Sequence, residues 1–480
     1  MRLGRSTSMR LYREPDFETL QLHAGQEPDP VTNSRAVPIH QNTAYTFNSV
    51  EHAVNIAALK EPGFIYSRVG NPTVEVFEKR MVALEGGVAA VATASGTAAI
   101  ALTLTALAGA GDNIVTASRL YGGTYQQFKA PMKKYGIDVI FVESLDPEDF
   151  EPKINDKTKA IYVEIIANSD TTLADVGALA AMAHRHGIVL VVDATFAMGG
   201  YMAKPISLGA DIVGVSSSLK LAPYPFQTTT VLSSQCNKWI AGHGTTIAGV
   251  IIDSGNFDWR KSDKYPSING PASGYKNINM AETFYPCGFS THIRADLLRD
   301  LGPCLSPMNA FLALQGLETL SLRAQRHCDN AMAVAKYLDA HPRVIQVTYL
   351  GLPSHPSHQQ ALRMLRPNAF GGVLTFRLEG GFEKVIKLIE NLRLASHLAN
   401  LGKLLGKVMY FFSSTHAGDA KTLVLSPAAI VQGQLTPEER ASGGVSDDMI
   451  RFSVGIESVQ DIIADLEGAL QAAYALPSSL

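Results

Sequence analysis

A chain of 480 residues with 46% hydrophobic and 18% charged side chains has enough apolar material for more than one core. Its net charge of −3 and pI of about 6.5 give no attraction to nucleic acid or to an anionic membrane surface. No uninterrupted apolar run approaches the roughly 18 residues of a membrane-spanning helix, and the four cysteines lack the CxxC spacing of a zinc site or disulfide framework.

Residues 1–65 carry Arg2, Arg5, Arg10 and Arg13, with no apolar leader segment after them, so a reducing, cytoplasmic setting is expected. Pro15, Pro28, Pro30 and Pro38 and the absence of a long periodic pattern predict an extended arm that packs across another subunit. Val74–Leu84 has helical spacing and ends at Gly86-Gly87. The apolar run Val88–Ala92 leads into Ser95-Gly96-Thr97, which opens an Ala/Leu-rich helix to about Ala108.

Strand candidates then follow at Asn113–Ala117, Asp138–Val142, Ala160–Ile165, Ile188–Asp193 and Asp211–Val215. They are short, continuous and rich in Val and Ile, as strands buried on both faces must be. Helical stretches at Thr124–Tyr135 and Leu173–His186 lie between them. This alternation predicts an α/β fold with a mostly parallel sheet over residues 66–304. Ligands in such sheets sit at the carboxyl ends of the strands, where Asn168, Asp193 and Ser216 fall. Residues 305–480 read as a smaller α+β domain. Its helices are Asn309–Leu320, Ala324–Leu338 and Ile462–Ala473, and its strands Val344–Leu350, Gly372–Leu378 and Arg451–Val454.

Several residues carry chemistry. Ser95-Gly96-Thr97 sits where a loop becomes a helix, so it is either a plain N-cap or a turn whose backbone N–H groups hold an anion. Asp193 ends an apolar strand, where an unpaired charge is costly. It is either a cap or salt-bridge partner, or the mate of a protonated ring nitrogen. Tyr121 is either a core tyrosine or a platform for a flat ring. Lys238 stands just before the glycine-rich turn Gly242-His243-Gly244. A strand-end aspartate with a downstream lysine is what a pyridoxal 5'-phosphate (PLP) enzyme needs. His355 and His358 read as structural, because no Cys or carboxylate completes a metal site.

Five motifs occur in one order: Tyr66-Ser67-Arg68-Val69-Gly70-Asn71-Pro72-Thr73, Ser95-Gly96-Thr97, Tyr121-Gly122-Gly123-Thr124, Val192-Asp193-Ala194-Thr195-Phe196 and Lys238-Trp239-Ile240-Ala241-Gly242-His243-Gly244. That order resembles the cystathionine γ-synthase-like (Cys/Met metabolism) family of PLP enzymes, nearest its O-acetylhomoserine sulfhydrylases. Gln315-Gly316-Leu317-Glu318-Thr319-Leu320 and Arg326-His327 support the subgroup, and the likeness spans about residues 15 to 475.

The resemblance implies an aspartate-aminotransferase-like (type I) fold and a homotetramer acting on a small amino-acid substrate. Lys238 would carry the cofactor and shuttle protons. Asp193 would pair with the ring nitrogen, and Asn168 would bond the ring-hydroxyl side. Gly96 and Thr97, flanked by Ser95, would hold the phosphate, with Ser216 and Thr195 also on the cofactor. Tyr121 would stack on the ring and help activate the incoming amine. Tyr66 and Arg68 would reach a neighbouring subunit's phosphate, Tyr66 also touching substrate. Arg451 would clamp the substrate carboxylate. The implied reaction is γ-replacement on O-acetyl-L-homoserine, with sulfide the default nucleophile.

Three departures qualify this. Ser217–Gln235 separates Ser216 from Lys238, where the family's lysine follows its strand within a few residues, and Lys220 offers a second lysine. A second insert surrounds Lys403–Gly418. Both are hypothesised to be unspliced short introns, with surface loops as the rival; finding both in the mature transcript would rule the introns out. Ser426–Gln432 and Ala194 replace polar family residues with apolar ones. That keeps two alternatives open: a carbon or nitrogen nucleophile in specialised biosynthesis, or an inactive product.

Overall fold

A computed structural model describes residues 13–168, 170–215, 238–397, 417–428 and 444–475. Its larger sheet has seven strands: β1 (Ala89–Thr93), β2 (Asn113–Ala117), β3 (Asp138–Val142), β4 (Thr158–Glu164), β5 (Val189–Asp193), β6 (Ile212–Val215) and β7 (Gly249–Asp253), in the order β1-β7-β6-β5-β4-β2-β3. β7 runs antiparallel to both neighbours, so β1 points the same way as β2–β6. Their carboxyl ends therefore share one edge of the sheet. The sequence pattern did not mark β7. Its run is broken by Gly249, which is needed because a Cβ there would lie 2.3 Å from the Ser95 carbonyl oxygen.

The helices start where the sequence supplies caps. The Asn71 side chain accepts the Thr73 N–H at 3.0 Å ahead of α3 (Pro72–Glu85), which ends at Gly86 with φ 86°. Ser95 accepts the Ala98 N–H at 3.1 Å and opens α4 (Gly96–Leu107). Two expectations are corrected. The arm is not uniformly extended: it holds α1 (Phe17–His23) and α2 (Val50–Ala57), each about two turns and too short for a visible period. The helix expected over Thr124–Tyr135 begins as α-helix over Gly122–Gln127 and is α-helical again only at Lys133 and Lys134. It continues as a wide π-turn, Phe128–Met132, around Pro131, which has no N–H to give.

The second sheet orders Val344–Thr348, Val373–Leu378, Met449–Ser453, Leu423–Leu425 and Ser396–His397 side by side. The helices Pro307–Leu317 and Leu320–Asp339 lie between the sheets in the chain. One hydrophobic cluster includes Phe77, Val192, Trp239, Leu314, Phe452 and Leu470, so both sheets share a core. Among the described residues no helix is long and apolar enough to cross a membrane, and no group of three or more His, Cys, Asp or Glu could hold a metal.

Glu85 is a cost within that core. It is fully buried, neither carboxyl oxygen has a hydrogen-bond partner among the described residues, and burial raises its pKa to about 8 against a partial lowering by Lys204. The folded state thus holds a proton that the unfolded chain releases near 4.5. Stability from this group is complete below that value and is lost as pH rises through about 8. Glu85→Gln should flatten the decline, being more stable than the parent at pH 8 relative to pH 5. Urea titrations at both values test this, and equal differences would refute it.

Candidate active site

The shared edge of the larger sheet gathers the chemistry. Tyr121 follows β2, Glu164 ends β4 with Asn168 just beyond, Asp193 ends β5 and Thr195 follows it. These residues line one pocket together with Ile166, Phe196 and Lys238. Lys238 is only 2% exposed. Its Nζ lies 5.3 Å from the Tyr121 ring centre and 5.6 Å from that of Phe196.

Two carboxylates stand side by side here, because Glu164 and Asp193 are register partners of adjacent parallel strands. Asp193 accepts the Thr195 N–H at 2.8 Å and the Tyr162 hydroxyl at 3.2 Å. Glu164 accepts the N–H of Tyr121 at 2.6 Å and that of Asn168 at 3.2 Å. Burial raises both carboxyl pKa values, and their mutual repulsion pushes Glu164 higher; the Lys238 charge and the donated hydrogen bonds pull both back.

Arg451 comes from the other sheet, in the middle of the central strand Met449–Ser453. Its Nη1 donates to Asn168 Oδ1 at 3.1 Å, and its guanidinium carbon lies 5.5 Å from the Phe196 ring centre. Nε and Nη2 are buried without a partner among the described residues. Burial lowers the Arg451 pKa to about 10. Leu425, cross-strand partner of Arg451, packs on Tyr121. The site is therefore held from both sheets.

Other expected residues fall elsewhere. Ser95, Gly96 and Thr97 form the start of α4 at the carboxyl end of β1, on the same sheet edge but not in the pocket lining. Tyr66 is 42% exposed, and the Arg68 guanidinium lies 5.5 Å from its ring centre while donating to the Arg299 carbonyl. Neither lines this chain's own pocket. Ser216, Lys220, Ser217–Gln235, residues 403–416 and residues 429–432 lie outside the described residues. Sequence reasoning missed Glu164. Its signal is the one that marked Asp193: an acid at the carboxyl end of a Val/Ile strand.

The donor set fits an aromatic cation carrying an anion, as PLP does. Burial disfavours ionisation of Asp193 and Glu164, so a cation beside them is what would keep a carboxylate there; the Tyr121 ring offers a flat face, and the α4 N-terminus offers N–H groups to a phosphate. The profile of the family described as "Cys/Met metabolism PLP-dependent enzyme" matches residues 18–471.

The chain belongs to that family.

It is thus a PLP-dependent enzyme of type I, α/β fold. It is 49% identical to the homocysteine synthase of Schizosaccharomyces pombe, covering 95% of this chain and 98% of that one. It is 46% identical to O-acetyl-L-homoserine sulfhydrylase 1 of Thermus thermophilus, covering 95% and 99%. A Campylobacter jejuni crystal structure, described as a candidate O-acetylhomoserine (thiol)-lyase bearing a pyridoxyl-lysine, superposes with a TM-score of 0.84. The two are 32% identical, over 95% of this chain and all of that one.

Proposed function

We propose that this enzyme replaces the γ-acetoxy group of O-acetyl-L-homoserine with sulfide, giving homocysteine and acetate. The carrying observation is the division of charge: Lys238 lines one pocket with the carboxyls of Asp193 and Glu164, and beyond Asn168 lie Arg451 donors that have no partner among the described residues. Relatives at 49% and 46% identity bear the names homocysteine synthase and O-acetyl-L-homoserine sulfhydrylase.

Bound PLP supplies an electron sink for carbanion chemistry at the substrate α-carbon. The protein's residues do the rest. Lys238 anchors the cofactor, then takes the Cα proton and returns protons once the nucleophile has added. Asp193, held by Thr195 and Tyr162, keeps the ring nitrogen protonated. Tyr121 would cover the ring face, and Asn168 would bond the ring-hydroxyl side. Ser95, Gly96, Thr97 and Ser216 would hold the phosphate. Arg451 Nε and Nη2 take the α-carboxylate in a bidentate pair.

The proposal extends to a cytoplasmic homotetramer, in which Tyr66 and Arg68 reach a neighbour's phosphate. It is supported by the exposed apolar side chains of the arm, among them Phe47, Val50 and Val54. The free state of Cys287, Cys304 and Cys328 is the one a reducing compartment maintains. The proposed division is an arm over 1–65, a PLP-binding domain over 66–304 and a C-terminal domain over 305–480.

Purified protein given PLP, O-acetyl-L-homoserine and sulfide should release acetate and homocysteine in equal amounts. Acetate release without homocysteine would overturn sulfide as the nucleophile.

A further inference from the structure

We infer that Arg323 is a positioning residue for Lys238, clamping from behind the turn that presents the lysine to the pocket. Arg323 lies in the helix Leu320–Asp339 and is buried. Its Nη1 donates to the Trp239 carbonyl at 2.7 Å. Nη2 donates to the Ile240 carbonyl at 3.0 Å and the Gly316 carbonyl at 2.7 Å, and Nε to Thr319 Oγ1 at 3.2 Å. The two residues that follow Lys238 thus have their carbonyls tied to one rigid guanidinium, which in turn is tied to the end of the helix Pro307–Leu317. The Gly242 N–H closes the turn onto the Lys238 carbonyl at 2.8 Å.

The fit leaves no slack. A Cβ at Gly242, where φ is 70°, would lie 2.2 Å from Arg323 Nη1. One at Gly316 would lie 2.4 Å from the Ile240 carbonyl oxygen. Among the described residues no carboxylate pairs with Arg323, and burial lowers its pKa to about 10. A buried guanidinium balanced only by carbonyl and hydroxyl oxygens is costly. It is well suited to one task, fixing several oxygens of a turn in a plane. Lys238 Nζ swings from that turn, and a shift of about 1 Å at a reacting group can cost about 100-fold in rate.

The inference rests on Lys238 as the cofactor-bearing lysine, so the test begins there. Borohydride reduction and peptide mapping of the parent holoenzyme must find the pyridoxyl group on Lys238. A label elsewhere overturns that reading and this inference with it. With the label on Lys238, Arg323→Gln should lower kcat about 10- to 100-fold and leave KM for O-acetylhomoserine within about twofold. It should also move the pH at which the visible band of the bound cofactor titrates. In apoprotein, the rate at which trinitrobenzenesulfonate labels Lys238 should change in the same variant. Arg323→Lys, which keeps donors for part of the clamp, should recover part of each effect. Thr319→Val, which removes only the Nε acceptor, should show a smaller shift in the same direction and serves if Arg323→Gln does not fold. Variants that lose thermal stability, but keep the parent's band titration, kcat and Lys238 labelling rate, would reduce Arg323 to a structural residue and overturn the inference.

Discussion

Lys238→Ala is expected to lower kcat/KM for O-acetylhomoserine by on the order of 10^4-fold, because one atom performs two tasks. In the proposed mechanism Nζ anchors the cofactor and moves the Cα proton, and no other lysine lines the pocket among the described residues. Lys220→Ala, by contrast, should leave the rate within a few-fold. Retention of activity in the Lys238 variant, with loss in the Lys220 variant, would exchange the two assignments. The same substitution has a stability signature. The Lys238 charge holds down the pKa values of Glu164 and Asp193, both already raised by burial. Removing it raises them further. A carboxyl with a raised folded pKa stabilises fully below the ordinary carboxylate range and loses that contribution as pH rises through the folded value. Apoprotein of Lys238→Ala should therefore lose stability with rising pH more steeply than the parent apoprotein. Restoring PLP, whose protonated ring nitrogen would sit against Asp193, should correct part of the slope.

The sequence made the strand-end half of this site legible because its signal is local. Asp193 interrupts a Val/Ile run, and so does Glu164; only the first had a motif around it, so the second passed as part of a strand. The β/α alternation is equally local, and the strands β2 and β3 begin and end where the apolar runs do. What was not legible depends on chain segments far apart. Arg451 meets Asn168 across 283 positions, and Arg323 meets Trp239 across 84. Neither contact has a periodicity to announce it. The arm helices failed for a different reason. Phe17 and Gln21 are the buried residues of α1, and α2 buries Ile56 alone, so neither has a repeating apolar stripe.

Arg451→Leu should lower kcat/KM by about 10^2- to 10^3-fold, the consequence of removing one partner of a buried, hydrogen-bonded charge pair. Unlike most active-site losses, this one should not weaken the fold. Among the described residues Nε and Nη2 are desolvated without partners, and Nη1 alone is used, on Asn168. Leucine removes that penalty, which outweighs the loss of one hydrogen bond and a guanidinium–ring contact of about 0.5–2 kcal/mol. The melting temperature should therefore hold or rise while activity collapses. Arg451→Lys should not rescue, since an ammonium is a point charge and cannot present the two parallel donors a carboxylate takes from a guanidinium. The decisive comparison uses a substrate analogue whose α-carboxylate is replaced by a neutral amide. If Arg451 binds that carboxylate, parent and Arg451→Leu proteins should handle the amide alike. A persistent 10^2-fold gap on the amide would place the arginine's contribution elsewhere, in holding Asn168 and Phe196.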